Sequence, residues 1–175
     1  MNQPATAAGP AAPSDLPAAA ASPGAIEALA DSLSDSADAL HKRIMSAIRK
    51  NAATDGQAIS HAEAQALFAQ EIALRQQANA LYADATGFAA RGLAVPAREL
   101  LDLAERARER IRRIDRIKEL AGIAAALFNA AAAIAALRPE GLAPALEDLK
   151  EHVDALPDTG KPASRPAGGG HTMES

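Results

Sequence analysis

The sequence predicts an all-α fold: an elongated antiparallel helical bundle or coiled coil of three long helices and one short C-terminal helix, with disordered termini. Three observations carry this. Apolar residues recur at helical spacings through four successive blocks, with spacings of three and four throughout the first. No strand-length window alternates apolar with polar side chains. Alanine, the best helix former, dominates the apolar fraction, while only three Phe, one Tyr and no Trp are present. Such a composition suits helices packed closely along small-residue seams better than a thick core.

The first block carries Ile26, Leu29, Leu33, Ala37, Leu40, Ile44 and then Ile48 or Ala47 on one seam. Asp31, Asp35 and Asp38 come early, and Lys42, Arg43 and Arg49 late, the order that favours a helix macrodipole. The second block opens on Ser60–His61–Ala62–Glu63, a capping box in which serine and glutamate satisfy each other's backbone amides. Its stripe is Ala64, Leu67, Phe68, Ile72, Leu74, Ala78, Leu81, Ala85 and Phe88, ending near Gly92.

The third block opens at Val95–Pro96 and shows one uninterrupted helical pattern from about Ala97 to Leu137. At 1.5 Å per residue this is a rod of roughly 60 Å. Its first half is laced with charge and its second half, Leu120 to Leu137, has none. Arg138–Pro139–Glu140–Gly141 stops it, and a fourth helix is expected from about Pro144 to Leu156. Short connections predict that successive helices are antiparallel neighbours. The organisation is therefore an Ala/Pro-rich tail over 1–23, a helical domain over 24–156 and a second tail over 157–175. Both tails lack the bulky side chains needed to offset ordering entropy.

The charge-free half holds the candidate functional residues: Leu120, Ile123, Leu127, Phe128, Ile134 and Leu137. Projected at 100° per residue, all but Phe128 fall in an arc of roughly 100°, with Asn129 on the opposite side. A stripe of this kind is what a helix docked on partner helices needs. The segment is also near the length of a membrane span, and its six large apolar residues favour insertion by about 2–4 kcal/mol in sum. The arginines just upstream could meet anionic headgroups.

Those arginines alternate with Glu105, Glu109, Asp115 and Glu119, predicting intrahelical pairs Glu109–Arg113, Arg112–Asp115 and Arg116–Glu119. They form no single stripe and have no aromatic companions, so no nucleic-acid partner is expected. The loop after the first block has the outline of an EF-hand, but with Gly56 at its sixth position the bidentate acid falls on Ala62. His41, His61, His152 and His171 are dispersed without metal-ligand spacing, and no cysteine is present. Asp158–Thr159–Gly160 lacks the β framework an aspartic protease needs. No phosphate loop or nucleophile elbow occurs. The net charge of −4 selects no class of partner.

The expectation is a non-enzymatic helical interaction or scaffold protein, without cofactor or metal. It acts through self-association or a helical protein partner. The alternative is a membrane-active helical protein, such as a secreted toxin, translocator-like component or effector, that inserts segment 120–137. No Sec-type leader is seen, so the expected location is cytoplasmic or reached by a signal-peptide-independent bacterial export route.

Overall fold

A computed structural model describes residues 22–53 and 58–155. Nearly all of both predicted tails, Leu156, and the Asp55–Gly56 turn lie outside them. Among the described residues the structure is all-α, with six helices and no strand. In order these are α1 (Pro23–Ala53), α2 (His61–Ala83), α3 (Ala85–Ala90), α4 (Ala94–Arg113), α5 (Ile117–Ala135) and α6 (Pro139–Asp154).

The 31-residue α1 is the spine, packing most extensively on α2 and α4. Its seam of Ile26, Leu29, Leu33, Ala37, Leu40, Ile44 and Ala47 is buried throughout, while Ile48 turns out to solvent. Ser32 and Ser36 are buried beside it; the Ser36 hydroxyl donates to the Ser32 carbonyl at 2.7 Å, whereas Ser32 Oγ has no partner. Cross-helix pairs fix the directions. Asp38 meets Arg75 and Asp31 meets Tyr82, so α1 and α2 are antiparallel. Asp35 meets Arg108 and Arg43 meets Asp115, so α1 and α4 run parallel.

The capping box forms as the sequence predicts. Ser60 Oγ accepts the Glu63 amide at 3.2 Å and the Glu63 carboxylate accepts the Ser60 amide at 2.8 Å. Hydrogen bonds from the Ser60 backbone and then its side chain hold the Glu63 carboxyl below its ordinary value. Asn51 is committed to the loop backbone: its Oδ1 accepts the Ala58 and Ile59 amides at 2.7 and 3.0 Å.

Two helices differ from the sequence expectation in their ends. The second block breaks at Asp84, but Ala85 and Phe88 stay buried in α3. Gly92, at φ +79°, then closes α3 with a Schellman motif: its amide reaches Ala89 O and the Leu93 amide reaches Phe88 O. The C-terminal helix starts at Pro139, not Pro144. Pro144 is its sixth residue, where the missing amide gives up the bond to Glu140.

The larger correction concerns the 60 Å rod. It does not exist: the chain turns back at 114–116, and α4 and α5 form a helical hairpin with α6 packed along α5. With the break at Asp84, three long helices plus a short one become six.

The end of α5 repeats the Schellman geometry with a residue ill suited to it. The Leu137 amide donates to Ile134 O and the Arg138 amide to Ala133 O, at 3.0 and 3.1 Å, with Leu137 at φ +56°. For a non-glycine residue this left-handed conformation costs about 1–2 kcal/mol. Leu137 is 40% exposed, so little burial is at stake. Leu137→Gly is expected to raise stability by about 0.5–1 kcal/mol, part of the relief being offset by glycine's greater unfolded-state entropy. A shift of the urea midpoint at constant slope is the measurement.

Candidate functional site

The candidate residues divide by which way α5 faces. Leu120, Ile123, Leu127 and Ile134 are at most 1% exposed, sealed among α2, α4 and α6. The aliphatic arc read from the sequence is thus the inner face of α5, with Asn129 exposed behind it. Phe128 lies at the edge of that face, half-buried and packed against the core. Leu137 is outside it, beyond the end of the helix. Around Phe128 runs a line of half-buried small residues, Ala121, Ala125 and Ala132, at spacings of four, three and four. This is the period of a coiled-coil seam, carried on the edge rather than in the core. Opposite, Gly122 lets α6 come close: a Cβ there would stand 2.9 Å from the His152 ring.

The turn that puts α5 in place contains no glycine or proline. Ile114 and Arg116 adopt extended backbone, at ψ 131° and 121°, between two helices. The reason lies in α1. The Arg43 guanidinium donates to the Ile114 carbonyl and, at 3.0 Å, to Asp115 Oδ1; Lys50 Nζ reaches the same oxygen at 3.2 Å. A cavity of about 300 Å³ sits at this corner, walled by Arg43, Ser46, Lys50, Ile114, Asp115 and Arg116. Arg43 Nε is buried there without an acceptor.

Pairing in the charged half follows the corner. Glu109–Arg113 and Arg116–Glu119 form at 2.5 and 2.9 Å, as the sequence predicts. Arg112–Asp115 does not, because the turn hands Asp115 to α1 and leaves Arg112 near Glu109 at 3.8 Å. Hydrogen bonds from Arg43 and then Lys50 hold the Asp115 carboxyl below its ordinary value. A depressed carboxyl contributes stability above its unfolded pKa and loses it as pH falls through the folded one. Acid titration of unfolding should therefore show a loss below about pH 4 that is smaller in Asp115→Asn. Asp115 is 76% exposed, so solvent screening keeps the difference modest.

A second polar cluster went unread in the sequence. Glu71 is buried on the α2 seam, midway between Leu67 and Leu74, where the spacing calls for an apolar residue. Its carboxylate meets His41 Nδ1 at 3.1 Å and Arg75 Nε at 3.0 Å, and Arg75 continues to Asp38 at 2.6 Å. The His41 ring also lies against Phe68, centroids 5.8 Å apart. The stripe Leu67–Glu71–Leu74–Ala78–Leu81 is regular once Glu71 is admitted, and Ile72, taken as its member, is 55% exposed. Among the described residues no three His, Asp or Glu side chains gather in a group that could hold a metal ion.

Comparisons with protein-family models, with curated proteins and with solved structures find no match for this chain.

Proposed function

We propose that this chain is a non-enzymatic helical interaction protein, acting through self-association or a helical protein partner, with α5 as the element that binds. The observation that supports this reading is the distribution of apolar residues on α5. Only Lys118 and Glu119 are charged in its 19 residues, and its half-buried edge of Ala121, Ala125, Phe128 and Ala132 has coiled-coil spacing. Small residues let a second helix approach closely, and a lone phenylalanine supplies an anchor. The test is light scattering across a concentration series, repeated with Ala125→Glu, which charges the edge without touching the inner face. Association that rises with concentration and is lost in the variant supports the proposal. A constant monomer that also captures no helical partner overturns it.

The membrane-active alternative draws on the same helix. The 19 residues Ile117–Ala135 are long and apolar enough to span a bilayer, with the arginines of α4 just ahead. The large aliphatics of α5 face inward, so insertion requires the bundle to open. Flotation with anionic vesicles separates the readings: co-flotation that Leu127→Arg abolishes favours insertion.

A further inference from the structure

The sequence over 97–137 is written as one helix, and the structure bends it. No glycine or proline marks the corner, and Asp115 and Arg116 have helical pairing partners on either side. Between the Ile114 and Leu120 amides, which donate to Arg110 and Arg116, five amides have lost the acceptors a continuous helix gives them. No side chain caps α5. What holds the bend is non-local: Arg43 and Lys50 of α1 gripping Ile114 and Asp115, with Arg43 Nε left buried and unsatisfied. Local preference and tertiary staple thus oppose each other at a three-residue hinge.

We propose that α4 and α5 straighten into one helix when this staple releases, and that the α5–α6 unit then docks into the bundle of a second copy. The exposed face, Leu120, Ile123, Leu127 and Ile134, needs a partner of matching shape. The groove it leaves among α2 and α4 is such a surface, and an identical groove is present in every other copy. Exchange re-forms every inner contact and adds the missing backbone bonds at the hinge, which is why short hinges favour swapped dimers. α6 travels with α5, its most extensive neighbour. This inference rests on the self-association reading above but carries it through the inner face of α5, so Ala125→Glu, which charges the edge alone, leaves exchange intact.

Two substitutions push the hinge in opposite directions. Asp115→Ala removes the carboxylate that Arg43 and Lys50 hold and installs the best helix former. Ile117→Pro suits the bend, because the first helical position needs no amide and Arg116 before it is already extended. It forbids a straight helix through the corner.

The experiment places nitroxides on Asp102→Cys and Asn129→Cys, both exposed, in a chain without native cysteine. Full-length protein is refolded at high concentration, labelled chain diluted into unlabelled, and the fractions read by light scattering and electron–electron distance. The two sites lie about equally far from the corner, so the bent chain holds them across the hairpin. A straight helix sets them about 40 Å apart. We expect the long distance in the dimer fraction, enriched by Asp115→Ala. Ile117→Pro should lower that fraction by roughly a hundredfold while keeping a helical monomer with the short distance. A dimer with the short distance overturns exchange and leaves self-association standing. A monomer at every concentration, Asp115→Ala included, overturns both. A long distance that arises only on anionic vesicles overturns the second copy in favour of a bilayer.

Discussion

Leu127→Ala is expected to lower the free energy of unfolding by about 3 kcal/mol, within the 2–5 kcal/mol spanned by buried leucine truncations. The residue is fully buried on the inner face of α5, where that helix meets α2 and α6. Truncation removes about three methylene equivalents from the core and leaves a void that neighbouring alanines are too small to fill. Phe128→Ala, one position on, should cost about 1–2 kcal/mol despite the larger side chain, because Phe128 is only half-buried at the helix edge. The contrast between neighbours is the informative quantity. A helix held inside a bundle gives the order Leu127 over Phe128. A helix whose apolar residues face lipid or a loose partner gives similar and small losses for both in the soluble protein. Urea unfolding at fixed protein concentration, with slopes compared, measures both; a dependence of the midpoint on concentration would add the contribution of assembly.

The parts of this fold that are local were legible in the sequence. The α1 seam from Ile26 to Ala47, the Ser60–Glu63 capping box, the stop at Gly92 and the inward arc of α5 all follow from spacing and cap chemistry over one or two turns. The corner at 114–116 was not legible, since its cause is Arg43 and Lys50, more than sixty residues earlier in the chain. A helix pattern there reports a true local preference that tertiary contacts override. That corner adds one of the two helices beyond the expected four; the break at Asp84 adds the other. The hidden seam position at Glu71 failed differently. The stripe drawn through apolar residues alone takes in Ile72, which is one residue along and on the solvent side. The regular run Leu67, Glu71, Leu74, Ala78, Leu81 was the available signal, and accepting a charge on it would have pointed to a buried polar cluster. Of the α5 candidates, orientation was readable for Leu120, Ile123, Leu127 and Ile134. It was not for Leu137, whose left-handed backbone takes it off the helix face.

Glu71 yields the second large effect, and its sign depends on the replacement. The carboxylate side chain is 9% exposed, whereas its partners His41 and Arg75 are 48% and 42% exposed. Burial therefore falls chiefly on the glutamate; the other two groups keep water. Arg75 also keeps Asp38, the first contributor to its raised pKa, if Glu71 is lost. Replacing a whole buried ion pair with apolar side chains of similar volume is often neutral or stabilising by about 1–4 kcal/mol. Removing one partner is costly because it leaves the other buried and uncompensated, which exposed His41 and Arg75 are not. Leucine at 71 would complete the α2 seam against α1 and strand no buried charge. Glu71→Leu is accordingly expected to raise stability by about 1–2 kcal/mol. Glu71→Ala removes the same charge but leaves a gap between Leu67 and Leu74, and is expected to lower it by about 1–2 kcal/mol. The two variants share the loss of the His41 and Arg75 contacts, so their difference isolates packing on the seam. If both lose stability equally, the polar cluster itself holds α1 to α2. If Glu71→Leu gains, the glutamate is a cost the bundle carries, and the cluster's place in this protein is to be sought in partner choice or register rather than in stability.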